Sequence, residues 1–385
     1  MSMIDIRVRR WAETLTHYCL DVQPGEVVSI QSTPLAEPLI REVYRAVLEA
    51  GGHPLPAITL PALRSVLLEN GNDAQLTWRS PIDEVLASGI DKRLNILAAP
   101  NPLALAGIAP ERQALANRPP QIRDQVKAQA QVQAQKESVK SAPKKAISWC
   151  GTLWPTEGYA QLAGMSLAEF EEFVFAACFL NDEDPAARWR ELGAQQQHYV
   201  DWLRGKERVR IAGPDVDLHL SIAGRTFINS DSKRNFPSGE FFTGPVEESV
   251  EGTIRFDVPS SRDGRIVRNV RLRFVGGRVV EASAAEGEAY LLTMLDLDAG
   301  ARRLGEFAFG NNFGITRGII NTLYDEKIGG TIHMALGESY PETGGLNHSA
   351  IHWDFIHDLR KGGEVWIDDT LFLRDGIFMT QEPQS

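Results

Sequence analysis

The stretch Ala36-Glu-Pro-Leu-Ile-Arg-Glu-Val-Tyr-Arg-Ala-Val-Leu-Glu-Ala50 decides the fold of the first half of the chain. Its apolar residues recur at the three-to-four-residue spacing of a helix buried on one side, and Gly51-Gly52 stops it. A short apolar run from Gly25 to Ile30 precedes it, and another from Ala57 to Leu60 follows. Strand, helix and strand in that order are the pattern of a parallel sheet covered by helices. The pattern extends outward. Residues 3–20 have the period of an amphipathic helix, and Leu94 to Ala99 and Ile147 to Cys150 read as further buried strands. Ser166-Leu-Ala-Glu169 is a capping box that opens a helix to about Phe179, and a longer helix covers Asp184 to about Leu203. Gln, Lys and Ala dominate 120–145, and their helix propensity predicts an exposed helix there.

After Gly205 the texture changes. Short runs separated by turn signals predict strands at 207–212, 216–222, 225–229, 251–257, 265–275 and 278–283. Gly276-Gly277 closes one hairpin, and a second over 363–378 turns at Asp375-Gly376. The expected fold is an α/β N-terminal domain over residues 1–195 and a mixed, β-rich α+β C-terminal domain over residues 196–385.

At 385 residues the chain is long enough for two domains with sizeable cores. Hydrophobic residues make up 43% and charged residues 24%, which excludes a disordered chain. A formal net charge of −11 argues against binding to a phosphate backbone, so no nucleic-acid partner is expected. Cys19, Cys150 and Cys178 are widely spaced and form no CxxC, which suits a reducing cytoplasm and excludes a zinc knuckle. The N-terminus lacks the apolar core of a signal peptide, and no run of about 18 apolar residues is present to span a membrane. No GxGxxG follows a strand, and GxxxxGK[ST], GxSxG and HExxH are missing, so common nucleotide-cofactor enzymes and serine hydrolases lose their support.

The chemistry concentrates in short alternating stretches. In Ile351-His352-Trp353-Asp354-Phe355 a strand puts the three apolar residues on one face and His352 with Asp354 on the other. In Ile332-His333-Met334-Ala335-Leu336, His333 shares its face with small Ala335. In Gly305-Glu306-Phe307-Ala308-Phe309-Gly310, Glu306 faces away from two phenylalanines, and a carboxylate inside a core strand is costly unless paired or metal-bound. Glu240 lies between Gly239 and two aromatics, where a solvated rim position is an equal alternative. Three carboxylates and two imidazoles exceed the roughly three protein ligands of one catalytic zinc and suit a pair of divalent ions. His333, His352 and Asp354 alone form a two-histidine, one-carboxylate set, the facial triad of a mononuclear Fe(II) oxygenase.

The blocks PSGEFFTGP at 237–245, LGEFAFGNN at 304–312, IHMALGESYPE at 332–342 and SAIHWDF at 349–355 resemble, in order and type, the signature blocks of the aminopeptidase T family, the M29 metallo-aminopeptidases. The resemblance implies an exopeptidase that releases N-terminal residues from short peptides with a hydroxide activated by two divalent ions, Zn, Co or Mn. It implies Glu240, Glu306, His333, His352 and Asp354 as ligands, with Glu306 chosen as the bridge, and Tyr340 as a tyrosine near the metals that donates to the oxyanion. Glu338 and Glu342 are weak candidates for a general base; His348 and His357 are left as non-ligands. The resemblance further implies a homodimer enclosing the site. Ring-cleaving dioxygenases with a single Fe(II) are similar in fold and form the alternative, opposed by the two additional glutamates.

Overall fold

The computed structural model describes residues 5–78, 80–82, 89–117 and 147–380. The helix expected over 120–145 lies outside them. Among the described residues no helix is long and apolar enough to cross a membrane.

The first half builds a parallel sheet. Strands β1 (Val27–Ser32), β2 (His53–Ile58), β3 (Lys92–Leu97) and β4 (Ser148–Leu153) lie in the order β2-β1-β3-β4, all parallel. Helix α1 (Ile6–Glu13) and helix α2 (Glu37–Glu49) pack against each other, α2 burying Leu39, Val43, Ala46 and Val47 at the spacing its sequence predicts. The helix expected over 3–20 changes pitch midway, because Thr14–Cys19 winds as a wider π-helix. There Thr14 donates its hydroxyl to the Arg10 carbonyl at 2.7 Å, competing with the backbone ladder. Further along are α3 (Pro61–Asn70), α4 (Asp73–Thr77), α5 (Pro110–Asn117), α6 (Glu157–Ala163), α7 (Leu167–Ala177) and α8 (Pro185–Leu203). The capping box at α7 forms in both directions between Ser166 and Glu169.

The second half is mostly antiparallel. It supplies β5 (Arg208–Gly213), β6 (Val216–Ser221), β7 (Ile228–Ser230), β8 (Asn235–Phe236), β9 (Glu240–Thr243), β10 (Glu251–Phe256), β11 (Ser260–Arg262), β12 (Arg265–Val267), β13 (Val270–Val275) and β14 (Arg278–Ser283). Helix α9 (Glu288–Leu295), β15 (Leu304–Gly310), the one-turn helix α10 (Thr322–Asp325), β16 (Thr331–Gly337), β17 (His352–Asp358), β18 (Glu364–Ile367), β19 (Thr370–Arg374) and β20 (Ile377–Phe378) follow. One sheet runs β14-β13-β10-β6-β5-β18-β19-β20, another β17-β16-β15-β9-β7, and β11 pairs with β12. The α/β layer followed by β-rich sheets matches the fold class read from the sequence.

Three local expectations change. The single strand over 265–275 is two, because Asn269 takes a φ of +51° between β12 and β13. The hairpin over 363–378 has an earlier turn at Asp368-Asp369, both with positive φ, besides the one at Asp375-Gly376. The strand expected at 225–229 is only Ile228–Ser230.

One core joins the inner faces of the two antiparallel sheets, including Ile211, Leu218 and Ile254 from one and Phe307, Phe309, Met334 and Phe355 from the other. A second core fills the parallel layer around Trp11, Ile30, Val43, Ile96, Phe170 and Trp189. Helix α8 contributes to both, with Trp189 in one and Tyr199 and Leu203 in the other. Strand β8 leaves the second half to pair in parallel with β4, and Phe236, Ile319, Tyr324 and Ile328 enter the core of the parallel layer. This interlock fixes the loops flanking β15 and β16 against the parallel layer.

Candidate metal centre

The five-stranded antiparallel sheet shows how alternation becomes chemistry. Register pairs Ala308 with both His333 and Phe242, Gly310 with Glu240, Ala335 with Glu306 and Asp354, and Gly337 with His352. Side chains on one face of such a sheet repeat every second residue. Glu240, Glu306, His333, His352 and Asp354 therefore share a face, spaced by glycine and alanine; at Gly310 and Gly337 a Cβ would collide with the Ile328 and Ile351 carbonyl oxygens, respectively. Phe241, Phe307, Phe309, Met334, Trp353 and Phe355 point the opposite way into the core. That apolar face holds the strands rigid. Phe241 and Phe309 stack with centroids 5.0 Å apart, and Phe372 meets Phe309 edge-on at 5.2 Å.

Glu306 is central. Its Oε1 is 3.3 Å from His333 Nε2, and its Oε2 is 3.1 Å from His352 Nε2. Glu240 Oε2 lies 3.3 Å from His333 Nε2, and Asp354 Oδ1 lies 3.5 Å from His352 Nε2. Among the described residues, three sets bring one ligand atom each within 4.8 Å of one another: Glu240, Glu306 and His333; Glu306, His352 and Asp354; and Glu326, His333 and Asp354. The structure thus gathers all five residues singled out from the sequence.

Glu240 Oε2, Asp354 Oδ1 and His333 Nδ1 are buried and make no hydrogen bond. Burying carboxylate oxygens without donors is costly, so the donor set fits divalent cations. His352 has a defined tautomer, since its Nδ1 donates to the Glu338 carbonyl at 2.8 Å and leaves Nε2 for a ligand. The neighbouring backbone is held as well. Ser260 donates to the Asp354 carbonyl at 2.9 Å, and Arg262 Nη1 to the His352 carbonyl at 2.7 Å.

The electrostatics of the metal-free site follow from these contacts. Burial alone raises the Glu306 carboxyl, but hydrogen bonds from His333 and His352 outweigh it and bring it down to about 2. Burial lowers the His352 imidazole, and Asp354 and Glu306 reverse this and hold it well above its usual value. Burial likewise raises Asp354, and His352 draws it below its usual range.

Tyr340 stands on the rim, 39% exposed, with its ring 5.0 Å from His352 and 5.4 Å from Phe242. Burial pushes its phenol above the usual range, and Glu306, Asp354 and Glu240 push it further. It therefore keeps its proton across neutral pH and can donate it in a hydrogen bond. Glu338 turns away from the cluster: its carboxylate receives the Ser349 N–H at 2.6 Å and pairs with exposed His348 at 3.2 Å. Glu342 is exposed. His357 faces the opposite side of β17, with Nδ1 2.7 Å from the Arg255 carbonyl.

Two residues in the cluster were not singled out from the sequence. Glu326 joins His333 and Asp354, and Lys327, fully buried, pairs with Glu240 at 3.0 Å and with Glu326. They follow α10, where buried Asp325 receives the N–H groups of Ile319 and Asn321 at 2.8 and 2.9 Å. Burial pushes the Asp325 carboxyl up to about 7 despite those bonds.

Residues 4–367 match the M29 family of thermophilic metalloproteases. The chain belongs to that family. Aminopeptidase 2 of Geobacillus stearothermophilus is 28% identical over 91% of this chain and 92% of its own length. Aminopeptidase T of Thermus aquaticus is 30% identical over 66% of this chain and 68% of its own. A solved structure, wild-type AmpT from Thermus thermophilus, superposes with a TM-score of 0.79 at 24% identity, covering 98% of this chain and all of that one, and shares the fold. The M29 chain is thus a metallo-aminopeptidase, a hydrolase of exopeptidase type. The ring-cleaving dioxygenase alternative finds no support among these relatives.

Proposed function

We propose that this M29 enzyme removes N-terminal residues from short peptides with two divalent ions, one held by Glu240, Glu306 and His333, the other by Glu306, His352 and Asp354. The observation that carries the reading is that the two oxygens of Glu306 are directed to different histidines, His333 and His352. Glu306 would then serve both ions, and Glu326 would be a further donor beside His333 and Asp354. Bound divalent ions would polarise the scissile carbonyl and bring the pKa of water toward neutrality.

The chain's own residues do the rest. The Glu338 carbonyl keeps the His352 proton on Nδ1. Tyr340, protonated and on the rim, donates to the oxygen that becomes negative as the carbonyl is attacked. A free, neutral α-amine of the substrate would be held beside the carboxylate cluster by one of the ions, which favours cleavage at the N-terminus. A cytoplasmic homodimer acting on short peptides is part of the same proposal.

The test is turnover of aminoacyl-p-nitroanilides alongside metal analysis. Chelation should abolish turnover, and Zn²⁺, Co²⁺ or Mn²⁺ should restore it as two ions per chain return. Full turnover in protein stripped of metal would overturn the proposal.

A further inference from the structure

Four carboxylates, Glu240, Glu306, Glu326 and Asp354, crowd into the ligand cluster, and each is mostly or fully buried. One side chain that cannot ligate a metal while protonated is buried with them. Lys327 has no exposed surface, and its Nζ lies 3.0 Å from Glu240 Oε1 and ion-pairs with Glu326 Oε1. Buried lysines are rare unless paired. Here the backbone is pinned as well: the Lys327 N–H donates to the Tyr324 carbonyl, and its own carbonyl receives the Asn312 N–H, both at 2.9 Å. The ammonium is therefore delivered to the carboxylates by the fold.

We propose that Lys327 is a resident cation of the metal centre, which neutralises Glu240 and Glu326 in the metal-free protein and weakens the ion held by Glu240, Glu306 and His333. This rests on the two-ion reading. Glu240 has two oxygens; Lys327 takes Oε1, and Oε2 is the one turned to His333. An ion at that group shares a carboxylate with the ammonium and feels its charge from a few ångströms away. The ion held by Glu306, His352 and Asp354 shares no ligand with Lys327. The centre is consequently asymmetric, with one tight and one weak position. The same ammonium lets the carboxylate cluster fold before metal arrives, since unpaired buried charge is strongly destabilising.

The experiment is calorimetric titration of Co²⁺ into chelator-stripped protein, with thermal melts of the stripped and loaded forms. Wild type should bind in two steps of unequal affinity. Lys327→Met should tighten the weaker step by roughly tenfold or more, the direction set by removing a like charge at close range. It should lower the melting temperature of the stripped form more than that of the loaded form, as linkage requires when metal binding tightens. Lys327→Gln, which keeps polar contact with both carboxylates, guards against a purely packing defect and should tighten the same step. Lys327→Arg keeps the charge and should leave it weak. Two steps unaffected by Lys327→Met and Lys327→Gln would overturn the role of Lys327 while leaving the two-ion centre standing. A single step in wild type and in both neutral variants would instead overturn the two-ion reading.

Discussion

Glu306 and His333 face each other across β15 and β16, two positions apart in register, with Oε1 3.3 Å from Nε2. Neither strand could present both groups alone. Their meeting depends on the pairing of Ala308 with His333 and of Glu306 with Ala335, which puts a small residue opposite each functional one. Because Glu306 also reaches His352, its carboxylate joins the two halves of the cluster.

Glu306→Gln should therefore reduce bound metal below two ions per chain and remove nearly all peptidase activity. A neutral amide offers only one good acceptor oxygen and no charge to offset two neighbouring dications. Metal analysis and p-nitroanilide turnover on the same sample check this. Full occupancy with wild-type turnover would return Glu306 to a structural ion pair.

Metal loading should release protons. In the metal-free protein His352 is raised well above its usual value and is protonated at neutral pH between Glu306 and Asp354. A cation taking Nε2 must displace that proton, so affinity falls as pH is lowered and rises with pH up to the raised His352 value. The same shift stabilises the metal-free fold: that contribution is complete below the ordinary imidazole value of about 6.5 and is lost as pH rises through the raised one. Calorimetry at pH 7 in buffers of different ionisation enthalpy measures the release. Heats independent of buffer would count against it.

Glu306, His333, His352 and Asp354 were legible because each sits in a strand whose apolar residues recur at every second position, and a period of two sorts faces without tertiary information. Glu240, followed by Phe241 and Phe242, has no such alternation, and its local pattern suited a solvated rim equally well. Glu326 and Lys327 were not legible. They lie in Asp325-Glu326-Lys327, a run of charges after a single helical turn, and such a run ordinarily faces solvent. Only the bonds of Lys327 to Tyr324 and Asn312, and of Asp325 to Ile319 and Asn321, turn it inward. The same holds for β8. Two residues, Asn235 and Phe236, extend the parallel sheet by pairing with Gly151 and Thr152, more than 80 positions earlier in the chain, and no local pattern announces such a partner.

Tyr340→Phe should keep metal content and melting temperature while kcat falls by about 10²–10³, the usual loss for one oxyanion donor. The ring contacts with His352 and Phe242 survive the change, so packing is preserved and only the hydroxyl is tested. Steady-state kinetics separate the two roles. A fall in kcat with little change in KM identifies a group that acts in the transition state. Unchanged kcat would leave Tyr340 a packing residue.

Exopeptidase character predicts a dependence on the substrate's own amine. A free α-amine has a pKa of about 7.7–8.0, so it is neutral and able to ligate a cation only in the alkaline part of the physiological range. Activity should rise through neutral pH as this proton is lost, and Tyr340 should not limit it from above, because its phenol is held beyond the usual range by burial and by Glu306, Asp354 and Glu240. N-acetylation of the same peptide removes the amine and leaves the scissile bond untouched. If the carboxylate floor and its ions hold the substrate by that amine, the acetylated peptide should show no measurable hydrolysis at concentrations where the free peptide saturates the enzyme. Equal cleavage of blocked and free peptides, followed by chromatography, would mean that the amine is not recognised, and that the same carboxylates and histidines serve an endopeptidase or a general amidase.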